Sequence, residues 1–387
     1  MALYILEDKN LHPFLSKRIA QEISAVKALN QKRIPTRSIS NISDLSTLLS
    51  DNQSVFLIPY GITPPTLKAI EFCNNNNIPV IAMHNIPEFA PEYIYSSTGS
   101  NNWILFSKII SYFKMHGKTG IAYFGINPNS KSDLVKAHHL YNMYQPFTTN
   151  DLFFIKENFS DCFSSFVDKR NEYDAVICPN DFIAVALMKK LSKIDPDYIK
   201  SHFIIGFMDS YISKLYHTSV TSVTYDIKAV LKAISTIYRT LTRDRHNFNS
   251  VNIQLPNLIN VRDSTQNAPL SEGHSLYKNL SDSRPPILFP DFNDFTYEND
   301  PEMSIILQIE NMFENISRID FCIIYEILSG STNRTISEKL FISQQTLQYH
   351  TSHMFSAINA KTKSDFINII SSYVSTANLG KFISKLA

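Results

Sequence analysis

Groups that could form covalent or metal-assisted intermediates are few in this chain of 387 residues, and badly spaced for such work. Its four cysteines, Cys73, Cys162, Cys178 and Cys322, form no CxxC pair, so neither a zinc site nor a disulfide framework is encoded and reduced, buried thiols are expected. There is no GxSxG elbow, no HExxH pair and no GxGxxG or Walker loop. Glycine numbers 9 in 387, well under the usual roughly 7%, which disfavours a backbone cradle for phosphate. Asp181 with His84 is the one conceivable acid/base pair. His350 and His353 stand three apart without a third ligand nearby. Neither an enzyme, a metal nor a cofactor is expected. One array does carry chemistry: Gln344, Gln345, Gln348, Tyr349 and Ser352 recur at helical spacing as short or amide-bearing side chains, able to hydrogen-bond base edges in a major groove.

Two helical segments joined by a short loop must present that array. Thr332 or Asn333 can cap the first, whose Ile336 and Leu340 share a face. After Phe341 and Ile342, Ser343 can cap the second, whose other face buries Leu347, Met354 and Ile358. The shape is a helix-turn-helix. Ser343, Gln344, Gln345, Thr346, Gln348, Tyr349 and His350 are its candidate DNA-contacting residues.

With Gly330, Thr332, Asn333 and Arg334 in the turn, and Ile336, Leu340, Ile342, Ser343, Thr346, Leu347, His350, Met354 and Ile358 behind it, the segment resembles the LuxR-type (GerE-like) DNA-binding domain over roughly residues 316–376. The resemblance implies a four-helix domain whose last helix, about Ser364 to Val374, pairs two subunits on a two-fold DNA site. Two lysines usual in that family are Gln348 and Ala357 here, which reduces phosphate contacts. Lys339, Arg334, Lys361 and Lys363 are the remaining cations; of these Arg334, Lys361 and Lys363, with Asn333, join the candidate DNA contacts.

Upstream, short β-rich runs alternate with helical stretches: Leu3 to Leu6, Val55 to Pro59, Pro79 to Met83, Gly120 to Phe124, Ala175 to Cys178 and Phe203 to Phe207. Parallel strands in an α/β region follow. Pro179-Asn180-Asp181, Gly206-Phe207-Met208-Asp209, Thr221-Ser222-Val223 and Val261-Arg262-Asp263-Ser264, with His12-Pro13-Phe14 and Asn77-Ile78-Pro79-Val80-Ile81 earlier, make residues 1–265 resemble the LacI-type periplasmic-binding-protein fold. That resemblance implies two lobes and a ligand held at the carboxyl ends of the strands. The strand-end candidates are Asp8, His12, Phe14, Tyr60, His84, Asn101, Asn127, Asn180, Asp181, Met208, Asp209 and Tyr225; Asn180 and Asp181 also read as helix caps. No arginine lies between Arg37 and Arg170, and Met208 replaces an aspartate of the family's turn. Both departures weaken the inference of a sugar and point to a more apolar or aromatic ligand or a lost small-molecule site.

A Ser-, Asn-, Asp- and Pro-rich stretch separates the two regions, giving expected bounds of 1–265 for a sensor domain, 266–302 for a linker and 303–387 for the helical domain. The ILFPDFNDF part of the linker holds apolar residues able to dock on a neighbour. The overall charge is only +1, yet Thr265 to Asp320 carries ten acids against three bases, and Ile327 to Ala387 six bases against two acids. No leader or membrane span is read, so a cytoplasmic protein is expected. The expected function is a one-component transcriptional regulator, a homodimer binding double-stranded DNA under control of a small sugar-like or other metabolite. A response regulator is the alternative, but VFLIPYG ends without a phosphorylatable aspartate. A ligand-independent regulator, whose N-terminal region serves dimerisation or protein contact, stays open.

Overall fold

Aliphatic and aromatic runs too short for helices become the central strands of two sheets. The structure, a computed structural model, describes the chain except residues 1, 9–15, 51–53, 62, 85–89, 245–246, 271–283, 285, 292 and 387, and gives only the backbone of residues 16–19, 30, 32 and 50. The chain divides into two units, Met1–Phe106 with Tyr225–Leu258, and Ser107–Thr224 with Ile259–Ala387.

The first sheet contains β1 (Leu3–Leu6), β2 (Thr36–Ile39), β3 (Val55–Ile58), β4 (Val80–Met83), β5 (Ser96–Ser100) and β11 (Asn252–Leu255), in the order β11-β5-β4-β3-β1-β2. Leu3 stands opposite both Thr36 and Val55 in parallel register. Strands β1, β3 and β4 are buried along their whole length. Burial on both faces is why they read as continuous apolar runs rather than alternating ones. Helices α1 (Ser16–Lys27), α2 (Pro64–Asn75) and α9 (Ile227–Arg243) accompany this sheet, and α3 (Asn102–Met115) begins in the first unit and runs mostly in the second, where Tyr112 and Phe113 meet Phe203.

The second sheet contains β6 (Ile121–Ile126), β7 (Leu152–Phe154), β8 (Ala175–Ile177), β9 (Phe203–Phe207), β10 (Thr221–Tyr225) and β12 (Asn257–Asn260), ordered β12-β10-β9-β8-β6-β7. Helices α4 (Lys131–Met143), α5 (Phe159–Val167), α6 (Asp181–Ile194), α7 (Pro196–Ser201) and α8 (Tyr211–Leu215) connect its strands. Phe124 anchors the packing, with ring centroids 5.1 Å from Phe166 and 5.7 Å from Phe159 in edge-to-face contacts. Such pairs add about 0.5–1.5 kcal/mol each beyond burial. Gly206 has a specific reason: a Cβ there would collide with the buried Asp181.

All the expected strands form, and among the described residues a further six are present. Strand β5 is Ser-Ser-Thr-Gly-Ser yet buried throughout, so no apolar signal marks it. Its hydroxyls are satisfied instead: Ser97 Oγ donates to Asn252 Oδ1 at 2.9 Å and Ser96 Oγ accepts from the Val251 N–H at 3.0 Å.

Helices alone follow the linker: α10 (Pro301–Asn315), α11 (Arg318–Leu328), α12 (Asn333–Leu340), α13 (Gln344–Ala357), α14 (Lys363–Ser371) and α15 (Thr376–Lys385). Four of these, α11 to α14, fill the span of the expected four-helix domain, and α10 and α15 flank it. The helix expected to run from about Ser364 to Val374 stops at Ser371, and Ser375 caps α15 by accepting the Asn378 N–H. The two added helices hold this region on the second sheet's helices. Both carboxylate oxygens of Glu310, on α10, accept the free N–H groups of Tyr211 and Ile212 at the start of α8, at 2.8 and 2.7 Å. The Tyr211 ring lies 5.8 Å from Phe321 and 5.7 Å from Phe382. At the other end Ser375 N–H donates to Leu215 O, and Asn378 Nδ2 to Tyr216 O.

Candidate functional site

Local devices end and begin α11, α12 and α13 in turn. Gly330 ends α11 in the left-handed region (φ 82°), and the Ser331 N–H returns to Glu326 O at 3.0 Å, a helix-terminating turn that favours glycine. Thr332, rather than Asn333, caps α12 by accepting the Thr335 N–H at 3.2 Å. Ser343 caps α13 by accepting the Thr346 N–H at 3.0 Å, and its hydroxyl also pairs with Thr346 Oγ1. Phe341 makes the turn between them at φ 54° with its ring 95% exposed. For a non-glycine residue that conformation is strained.

Helix α13 buries Leu347 and Met354, with Ile358 just beyond its end, against α10, α11 and α12. Gln344, Gln345, Thr346, Gln348, Tyr349 and Ser352 face outward. His350 instead points back into the domain, where its Nδ1 meets Asp320 Oδ1 at 2.6 Å, and Asp320 also accepts the Ser317 N–H and hydroxyl at the start of α11. The imidazole thus braces α13 against α11. Among the described residues no group of three metal-ligating side chains is present.

The cations are less free than their sequence suggests. Arg334 pairs with Glu338 at 2.8 Å and Lys339 with Glu326 at 2.7 Å. Lys363 donates to Ser331 O and Asn333 Oδ1, both at 3.1 Å, joining α14 to the turn before α12. Lys361 is exposed. The neutralising role of Glu338 was legible only as an i, i+4 spacing.

At the carboxyl ends of the first sheet, His84 follows β4 with φ 57°. Its Nε2 meets Glu22 Oε2 at 3.1 Å, its ring lies 5.4 Å from Tyr225, and its buried Nδ1 has no partner among the described residues. Gln21, Glu22, Ala25, His84, Tyr225, Ile227 and Val230 line a pocket of about 380 Å³. Asp8, after β1, and Tyr60, after β3, are buried; burial, then Asp8 and Glu7, push the Tyr60 hydroxyl up to about 12. Asn101 Oδ1 accepts the Ile104 N–H, and its amide reaches Gln254. His12 and Phe14 lie outside the described residues.

At the second sheet's carboxyl ends the candidates are bonded to other groups of the protein. Asn180, not Asp181, caps α6, accepting the Ile183 N–H, and its amide donates to the Tyr297 hydroxyl at 2.9 Å. Asp181 is fully buried and accepts from Ser210 N–H, Ser210 Oγ and Ser222 Oγ; burial pushes its carboxyl up to about 6 against those bonds. Met208 and Asp209 both have positive φ, 107° and 55°. Burial raises Asp209, but Lys214 and Arg262 outweigh it and hold the carboxyl below its ordinary range. Asn127 Oδ1 accepts from the Asn129 N–H. Tyr297 and Glu310, in stretches that read as linker and as an acidic helix, carried no sequence signal for these roles.

A two-sheet α/β region joined to a helix-turn-helix with an outward polar face defines a DNA-binding transcription regulator. Residues 317–370 match the model of the bacterial regulatory proteins of the luxR family, GerE, and form a helix-turn-helix domain of that type. Curated protein sequences yield no significant match. Among solved structures, the Lac repressor bound to ONPG in its repressed state is similar at 14% identity and TM-score 0.52, over 68% of this chain and 82% of that one. The transcriptional regulator CelR–cellobiose complex matches at 12% identity and TM-score 0.51, over 68% and 84%. A LacI family transcriptional regulator from Silicibacter pomeroyi matches at 15% and 0.51, over 69% and 100%. At such identities the likeness is one of fold: the α/β region resembles LacI-type ligand-binding domains. Among the described residues no helix is long and apolar enough to cross a membrane.

Proposed function

We propose that this chain is a one-component transcription regulator acting in the cytoplasm, a homodimer that reads a two-fold DNA site through α13 and answers to a small-molecule effector. The observation that carries the reading is the outward row Gln344, Gln345, Gln348 and Tyr349 on a helix capped by Ser343 within the luxR-family match. Glutamine amides pair with adenine edges, and Thr346 can hydrogen-bond a base edge or meet a thymine methyl. Lys361 supplies phosphate contact, and Arg334 does so once released from Glu338.

The pocket beside His84 supports effector control. Its volume suits a small metabolite, and Glu22, His84 and Tyr225 offer polar groups on an apolar wall. One structure of similar fold is a complex with cellobiose, which fits a sugar-like effector or another small hydroxylated metabolite.

The test is selection of fragments from a random DNA pool by the purified full-length protein at fixed salt. Enrichment of a pseudo-palindrome is expected; a pool that stays random with and without a metabolite library present defeats the DNA-recognition reading. A thermal-shift screen addresses the effector. A compound that stabilises the protein should lose its effect on His84→Ala, and an undiminished shift would remove the pocket from the proposal.

A further inference from the structure

In open α/β sheets, ligands bind outside the carboxyl ends of the strands. In the second unit that edge is already occupied, and the occupant is the chain itself. Asn293 forms a reciprocal set of bonds with Asn129, the loop after β6: its N–H donates to Asn129 Oδ1 at 3.0 Å, and Asn129 Nδ2 donates to Asn293 O and Oδ1 at 2.9 and 3.1 Å. The Asn293 amide also donates to Ile155 O at 2.9 Å and to Lys156 O, the loop after β7. Two residues on, Phe295 is buried, with its ring edge-on to Tyr297 at 5.4 Å. The Tyr297 hydroxyl takes the Asn180 amide at the end of β8. Asp300 then accepts the Phe159 N–H at 2.8 Å through one oxygen, and caps α10 through the other. Residues 293–300 therefore cross the ends of three adjacent strands and lead directly into the helix that carries Glu310 and packs against α13.

We infer that the carboxyl edge of the second sheet is a binding site whose resting occupant is this strap, and that a solute taking the edge displaces it and frees the DNA-binding domain from the unit. The inference rests on the regulator reading and adds where its signal is generated. The strap shows which chemistry the site accepts: a carboxamide reading two loop carbonyls and Asn129, an apolar ring, and a phenol meeting Asn180. A competing solute carries amide or hydroxyl groups beside a flat apolar face. While the strap is seated, the outward face of α13 is exposed and its helix is fixed, so each subunit of a dimer offers its half-site contacts in one orientation. Release gives up that preorganisation without altering the contacts themselves.

Full-length protein and two variants, Asn293→Ala and the milder Tyr297→Phe, test this. Peptide-resolved hydrogen exchange should show segments 293–300 and 209–213 exchanging at least tenfold faster in Asn293→Ala, and by a smaller factor in Tyr297→Phe. A synthetic peptide of residues 293–300, NDFTYEND, should bind Asn293→Ala at least tenfold more tightly than the parent protein, and the same peptide with alanine for tyrosine should not. On a selected two-half-site fragment Asn293→Ala should bind at least threefold more weakly, with single half-site affinity unchanged. Faster exchange confined to 293–300, with 209–213 unaltered, overturns the coupling. A folded Asn293→Ala that binds no peptide overturns the site. If the parent protein selects no DNA at all, the regulator reading fails, and the exchange and peptide measurements still decide the strap.

Discussion

Glu310 shows how a single buried carboxylate can carry a junction and make it sensitive to pH. Burial pushes its carboxyl up to about 7 even though the Ile212 and Tyr211 N–H groups pull it down. The folded protein thus holds this proton more tightly than the unfolded chain, whose value is near 4.5. Its contribution to stability is full below that lower value and is lost as pH rises through about 7. At ~1.4 kcal/mol per pH unit the loss is of order 3 kcal/mol. Asp181, pushed up to about 6, acts with the same sign over a lower window. Denaturant midpoints measured between pH 5 and 8 should fall for the parent protein and fall less for Glu310→Gln; parallel slopes would show that Glu310 does not titrate there. Base recognition is argued at the same scale. Gln345 is exposed and makes no contact that holds the domain together, so Gln345→Ala should cost about 1–3 kcal/mol of specific binding and leave the melting temperature unchanged. An unchanged gel-shift affinity at controlled salt would remove Gln345 from the contacts. Thr346→Ala is a less clean probe, because Thr346 also pairs with Ser343.

Among the elements, the turn of the helix-turn-helix holds a conformation its residue does not favour. Phe341 adopts φ 54° with its ring in solvent, so no packing offsets the crowding of its Cβ. Phe341→Gly should raise unfolding stability by about 0.5–1 kcal/mol, the relief of strain being partly offset by the looser unfolded chain. A loss of stability instead would mean that the ring is held by a contact made only in the assembled dimer. The caps of α12 and α13 were legible, to Thr332 or Asn333 for the first and to Ser343 for the second, because capping is local chemistry. Strand β5 was not, since its hydroxyls are matched by Asn252 and the Val251 N–H some 155 residues away. Helix α15 was missed for a related reason: its N-terminal turn is anchored on Leu215 and Tyr216, outside the segment that encodes it.

For the whole molecule, charge is the property most altered between sequence and structure. The six bases after Ile327 suggest a cationic surface, but Arg334, Lys339 and Lys363 are engaged within the domain. Lys361 is left exposed, as are Lys381 and Lys385 near the end of the chain, and a two-fold assembly presents Lys361 twice. Lys361→Glu should weaken binding to all DNA sequences alike and shallow the salt dependence by about 2 in the log–log slope, roughly one per subunit; a loss confined to one sequence would show Lys361 reading bases. Scarce glycine disfavoured phosphate loops and no zinc or nucleophile-elbow motif is encoded, and local periodicity and capping determined the helix-turn-helix and its outward face, because those properties depend on residues within a few turns of each other. The buried apolar runs likewise determined the central strands of both sheets. Only the tertiary structure decided which polar groups remain free. Asn180, Asp181 and Asp209, candidate ligand contacts by sequence, bind Tyr297, Ser210 with Ser222, and Arg262 with Lys214 in this structure. Those partners lie from 5 to 117 residues away, and a buried hydrogen-bonding group takes whichever partner the fold brings within reach.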